Sequence, residues 1–124
     1  MRQKLTMKKI LIVDDDHSCR RVLGYNLETE GYQVLSAASG EDGLAVFREQ
    51  NPDLIITDVK MSGMSGLDLL QAIKKVRPSM RVIVITAFGT AENIAAAMKL
   101  GACDYITKPF NRDRLNQAVG KAFN

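Results

Sequence analysis

The chain has 124 residues, 46% of them hydrophobic and 25% charged, with 17 Lys and Arg against 14 Asp and Glu for a net charge of +3. That length and composition fit one globular domain and exclude a disordered or low-complexity chain. The weak, scattered charge argues against direct nucleic-acid binding; Cys19 and Cys103 lack disulfide-scaffold or zinc spacing; no apolar run suits a signal peptide or membrane span; a cytoplasmic protein with reduced thiols is expected.

Residues 1–7 read as a polar N-terminal extension and 8–124 as the folded unit. Ile10, Leu11, Ile12 and Val13 form a continuous run ending at Asp14, Asp15 and Asp16, which predicts a strand buried on both faces with acids at its carboxyl end. Val22, Leu23 and Leu27 recur at helical spacing and predict a helix over 18–27, stopped by Gly31. A second strand is predicted over 32–37. Ser39, with Asp42 three residues on, then opens a helix through Leu44 and Phe47 that Pro52 closes. Residues 53–57 predict a third buried strand that again ends in an acid, Asp58. A glycine-rich loop over 61–66 leads, through the cap signature of Ser65 and Asp68, into a third helix carrying Leu67, Leu70 and Ile73 and ended by Pro78. A fourth strand is predicted over 81–86, a fourth helix over 90–100 and a short fifth strand over 102–106. Asn111 caps a last helix through Leu115 and Val119.

Five strand-helix alternations with uniformly apolar strands predict an α/β fold, a five-stranded parallel sheet doubly wound with helices on both faces. Such sheets bind ligands beyond the carboxyl ends of their strands, where the strand order reverses. There the chain offers Asp14, Asp15 and Asp16 after strand one, Asp58 after strand three, Thr86 after strand four and Lys108 just past strand five. Carboxylates gathered within a few ångströms repel one another unless they bind a cation or take up protons. Mg²⁺ suits such a cluster because it takes carboxylate and carbonyl oxygens and keeps several waters, with Mn²⁺ as the substitute ion. Lys108 gives a point charge for a phosphoryl oxygen, and Thr86 a hydroxyl. A carboxylate nucleophile beside a metal, a lysine and a hydroxyl can form an aspartyl phosphate, since that transfer relies on positioning and charge neutralisation. Asp58 is the best placed nucleophile.

Val13, Asp14 and Asp15, then Asp58 followed by Met61 and Gly63, then Thr86 and Ala87, then Lys108, Pro109 and Phe110 resemble the response-regulator receiver family over roughly residues 8–124. The resemblance implies a flavodoxin-like sheet of strand order 2-1-3-4-5. It implies phosphorylation of Asp58 by a histidine kinase or a histidine phosphotransfer protein. Asp15, Asp58 and the backbone carbonyl of Lys60 would bind Mg²⁺ directly, with Asp14 acting mostly through water. Thr86, Lys108 and the Ala87 amide would contact the phosphoryl group, and Tyr105 would switch rotamer together with Thr86. The family usually holds the Lys108–Pro109 bond in cis. It signals through the face formed by helix four, strand five and helix five, toward an output domain, a downstream protein or a second receiver. Ala95, Ala96 and Ala97 in helix four suit either sliding or tight packing. The implied protein is not an enzyme but a signalling phosphoacceptor that assists its own phosphorylation and dephosphorylation.

Lys60, the stretch 86–89 and the stretch 105–110 are similar to sporulation-type phosphorelay intermediates and to N-terminal receivers of enhancer-binding activators. Ser62 and Ser65 depart from the family, which usually has a proline and often an acid there, so a less rigid loop is expected. Lys60 and Phe88 stand where side chains could shield or admit the attacking water, and slow self-dephosphorylation is expected. A flavodoxin-like cofactor binder would need a phosphate loop where the three acids repel phosphate. A phosphatase using an aspartyl phosphate would carry a second acid where Lys60 stands. His17 reads as solvent-facing, Met61, Met64 and Met98 as gap fillers, Cys103 as a packed small hydrophobe, and Gly40, Gly89 and Gly101 as turn or helix-end residues.

Overall fold

The computed structural model describes residues 7–87 and 89–124. The predicted extension other than Met7, and the shielding role of Phe88, lie outside the described residues. The elements in chain order are β1 (Lys9–Val13), α1 (His17–Thr29), β2 (Gln33–Ala37), α2 (Gly40–Gln50), β3 (Leu54–Asp58), α3 (Gly66–Val76), β4 (Val82–Thr86), α4 (Ala91–Lys99), β5 (Asp104–Thr107) and α5 (Arg112–Ala122). All neighbouring strands pair in parallel, in the order β2-β1-β3-β4-β5. The expected doubly wound α/β sheet is therefore the observed one.

The strands read as unbroken apolar runs because both faces of the sheet are covered. Alternate residues enter two cores. Ile10, Ile12, Leu54, Ile56, Ile83 and Ile85 pack with Leu23 and Leu27 of α1 and Leu115 and Val119 of α5. Leu11, Val13, Ile55, Val82 and Val84 pack on the other face with Phe47 of α2, Leu69, Leu70 and Ile73 of α3, and Ala97 of α4. Each fully buried Leu or Ile contributes about 1.5–3 kcal/mol of transfer free energy, so these two layers dominate the driving force for folding.

Every helix starts on a side-chain cap that accepts a backbone N–H of its first turn: Asp16, Ser39, Ser65, Thr90 and Asn111. Asp16, grouped with the site acids from sequence, is thus the cap of α1, accepting from Ser18 N at 2.9 Å. The predicted starts of β2 at Tyr32 and of β5 at Ala102 are corrected by the ends of the preceding helices. Gly31 (φ 96) and Gly101 (φ 103) are left-handed, and the next amides fold back, Tyr32 N to Leu27 O at 3.2 Å and Ala102 N to Ala97 O at 3.0 Å. This Schellman closure uses up the residue after the glycine before a strand can begin. Two packing expectations fail as well. Val22 is 54% exposed, the inner face of α1 being Leu23, Gly24 and Leu27. Cys103 is exposed, because it precedes β5 and contributes its amide, not its side chain, to the sheet, bonding Val82 O at 2.9 Å.

Candidate functional site

β1 lies between β2 and β3, so the chain leaves β1 into α1 on one face of the sheet and leaves β3 into α3 on the other. The crevice opened by that divergence collects the ends of β1, β3, β4 and the segment after β5. Asp58 ends β3, in register with Ile85 of β4. Lys108 follows β5 directly, and its amide donates to Thr86 O at 2.8 Å, which ties it to the end of β4.

Three predicted residues meet in direct contact. Lys108 Nζ donates to Asp58 Oδ2 at 2.9 Å and to Asp14 Oδ2 at 3.1 Å. Asp14 is fully buried, a position tolerable for a carboxylate only when its oxygens are satisfied. They are: Oδ1 accepts the Asp16 amide at 2.9 Å and Oδ2 the ammonium. The Asp14 carbonyl also accepts Arg20 at 2.7 Å. Asp58 is 7% exposed, and its Oδ1 accepts the Lys60 amide at 3.3 Å.

Burial raises the Asp58 carboxyl above its usual range; the hydrogen bond and charge of Lys108 pull the other way without cancelling it, and Asp14 adds to the rise. Burial would lower the Lys108 ammonium, but hydrogen bonds and attraction from Asp58 and Asp14 outweigh it and raise the group well above its ordinary value. Cys19 is pushed up to about 12, first by burial and then by the adjacent Asp14. It is therefore an inert thiol at neutral pH.

Asp15 is exposed and turned to the opposite side, where its Oδ2 accepts the Ser62 amide at 3.2 Å. Lys60 and Ser62 thus bring the β3–α3 loop to Asp58 and Asp15 through backbone N–H groups. Thr86 is 1% exposed at the end of β4, next to the exposed Ala87. Tyr105 is half-buried within β5, paired with Val84. His17, as expected, is exposed at the start of α1. The Lys108–Pro109 bond is cis.

Sequence reasoning missed Gly66. A Cβ there would stand 1.8 Å from Asp58 O, and its amide donates to Val59 O at 2.8 Å, so α3 starts in contact with the backbone at the end of β3. A glycine directly after the Ser65 cap was the available signal. It missed the Ser62 amide on Asp15 for a different reason, since a contact across 47 positions leaves no local trace.

Three carboxylates and one ammonium leave a formal charge of −2, which a divalent cation would balance. Among the described residues no three Asp, Glu, His or Cys side chains converge on one metal position. The donor set that the sequence resemblance implies, two carboxylates and a carbonyl, suits a shallow site whose ion keeps several waters, as Mg²⁺ does.

A family model described as response regulator receiver domain matches residues 10–120. The chain belongs to this family. Its role is that of a phosphoaccepting signalling domain, and the receiver is similar to several known proteins. It is 39% identical over 114 residues to sporulation initiation phosphotransferase F of Bacillus subtilis, covering 92% of each chain. It is 42% identical over 113 residues to the transcriptional regulatory protein GlrR of Escherichia coli, covering 91% of this chain but only 26% of that protein. The receiver thus spans about a quarter of that regulator's length. Among solved structures, a response regulator receiver domain protein from Clostridium thermocellum superposes with a TM-score of 0.91 at 40% identity, covering 95% of both chains. The CheX-CheY-BeF3-Mg²⁺ complex from Borrelia burgdorferi gives 0.91 at 29% identity, covering 94% of this chain and 90% of the other. Among the described residues no helix is long and apolar enough to cross a membrane.

Proposed function

We propose that residues 8–124 form the receiver unit and that Asp58 accepts a phosphoryl group from a phosphohistidine on a kinase or a phosphotransfer protein. The observation that carries this reading is Lys108 held between Asp58 and the fully buried Asp14. That arrangement keeps a carboxylate nucleophile at a strand end with a cation already beside it. In the transfer an Asp58 oxygen bonds to phosphorus while the bond from phosphorus to the imidazole nitrogen breaks, and the imidazole leaves with its electron pair. Lys108 moves from the carboxylate to a phosphoryl oxygen, and Thr86 and the Ala87 amide supply further contacts. Asp15, Asp58 and the Lys60 carbonyl would hold Mg²⁺, with Asp14 acting through water. The ion, when bound, offsets the charge of the incoming phosphoryl oxygens. The same groups let the domain assist its own phosphorylation and dephosphorylation.

Output runs through the face of α4, β5 and α5, toward an attached domain, a separate protein or a second receiver, and we place the protein in the cytoplasm. The support is that α4 buries only Ala97, against four buried residues each in α3 and α5. A helix anchored so lightly is suited to shift between two packings when Thr86 and Tyr105 rearrange. Incubation with acetyl phosphate and Mg²⁺, followed by intact mass measurement, tests the acceptor: one phosphoryl adduct is expected in the wild type and none in Asp58→Asn. An adduct that persists in Asp58→Asn refutes the assignment.

A further inference from the structure

The chain between β3 and α3, residues 59–65, has no regular secondary structure, yet it carries two groups on which the site depends. Lys60 supplies the carbonyl assigned to the metal, and Ser62 donates its amide to Asp15. Ser62 leaves the centre of this loop without the fixed φ that a proline would impose. Something else must hold the loop, and the contact that does so comes from α2.

Glu41 stands in the first turn of α2, where the helix dipole and free N–H groups favour a carboxylate. Its Oε2 accepts the Met64 amide at 3.3 Å, across 23 positions. The same carboxylate lies over Gly63, whose φ is +77; a Cβ on Gly63 would be 3.1 Å from Oε2. Gly40 completes the contact, since a Cβ there would be 2.9 Å from Met64 Cβ and 3.0 Å from Met64 O. Met64 is half-buried against the core that contains Phe47 of α2 and Leu69 of α3. The bend is therefore gripped by an apolar contact beneath and a charge-assisted hydrogen bond above.

We propose that Glu41 is a positioning residue for the metal-dependent reaction: its carboxylate tethers the Gly63–Met64 bend to α2 and so fixes the Lys60 carbonyl and the Ser62 amide around Asp15 and Asp58. The inference rests on the reading of Asp15, Asp58 and Lys60 as the metal-binding set. Glu41 itself touches neither metal nor phosphoryl group.

The test compares wild type, Glu41→Ala and Glu41→Gln by Mg²⁺ calorimetry and by amide hydrogen exchange of Met64 in metal-free protein. Glu41→Ala is expected to weaken Mg²⁺ binding about threefold to tenfold, the range that loss of one hydrogen bond supports, and to speed Met64 exchange. Glu41→Gln keeps an acceptor at the same reach and is expected to hold Mg²⁺ affinity within about twofold of wild type. Equal losses in the two variants would assign the effect to charge acting at a distance and overturn the tether. So would wild-type affinity, or unchanged Met64 exchange, in Glu41→Ala. A wild type that binds no Mg²⁺ would instead overturn the metal reading beneath the inference, a result distinguishable from a wild type that binds and an alanine variant that binds equally well.

Discussion

On the β5 side of Asp58, Lys108 reaches 2.9 Å from its carboxylate and is shared with Asp14, which water does not touch. On the β3–α3 side the neighbours are backbone amides of an irregular loop, Lys60 on Asp58 at 3.3 Å and Ser62 on the exposed Asp15 at 3.2 Å. The first side is an ion cluster largely shielded from water, in which Lys108 makes two mutually repelling carboxylates tolerable. The second is a pair of weaker backbone contacts, partly buried at Asp58 and exposed at Asp15, whose geometry follows the loop. A buried cluster answers to loss of a partner mainly in stability, whereas an exposed loop answers mainly in what it binds.

Lys108→Ala should have the largest effect. It leaves Asp14 and Asp58 together without their cation and should destabilise the fold by about 3 kcal/mol at neutral pH in urea unfolding, the range seen when one partner of a buried pair is removed. Because the Lys108 ammonium titrates above its ordinary 10.5 in the folded protein, the stability it contributes is fully present below that value. It should be lost as pH rises through the folded pKa. A loss of under about 0.5 kcal/mol would show that this side is no more cohesive than a surface pair.

Asp58→Asn tests the same cluster with the opposite sign. Burial raises the Asp58 carboxyl, so its ionised form opposes folding at pH values above the folded pKa, and the penalty is relieved as pH falls through it. The isosteric amide should therefore stabilise the protein by about 1 kcal/mol at pH 7, with the gain shrinking on acidification as the wild-type carboxyl protonates. A destabilised Asn variant at pH 7 would mean that the pairing with Lys108 outweighs desolvation.

Asp15→Asn should change stability least, by no more than about 0.5 kcal/mol, as expected for an exposed side chain. It should nonetheless weaken Mg²⁺ binding by tenfold or more, since one of the two carboxylates proposed to ligate the ion directly is removed. Calorimetry showing unchanged Mg²⁺ affinity would take Asp15 out of the metal set and make the two sides of Asp58 less different than their geometry suggests.

Much of this was legible locally. Ile10 to Val13 and Leu54 to Ile56 announced strands covered on both faces, and Ser39, Ser65 and Asn111 announced helix starts; all of them cap as read. The misreadings were local as well. Tyr32 and Ala102 have strand-like neighbours, yet their amides close the preceding helices. Asp16 follows two site acids and reads as a third, but its place directly before His17 makes it a cap.

What the chain order determined by itself was the alternation of strands and helices, hence the sheet, and the placing of Asp14, Asp15, Asp58, Thr86 and Lys108 at strand ends. Periodicity and capping are properties of neighbouring residues, and a linear text carries them. Tertiary structure alone decided how those ends share charge and what holds the loop between them. Lys108 lies 94 positions from Asp14 and 50 from Asp58, and Glu41 lies 23 from Met64. Contacts at such separations depend on strand order and on how closely helices approach the sheet, through which Asp58 gains its cation and Asp15 its loop.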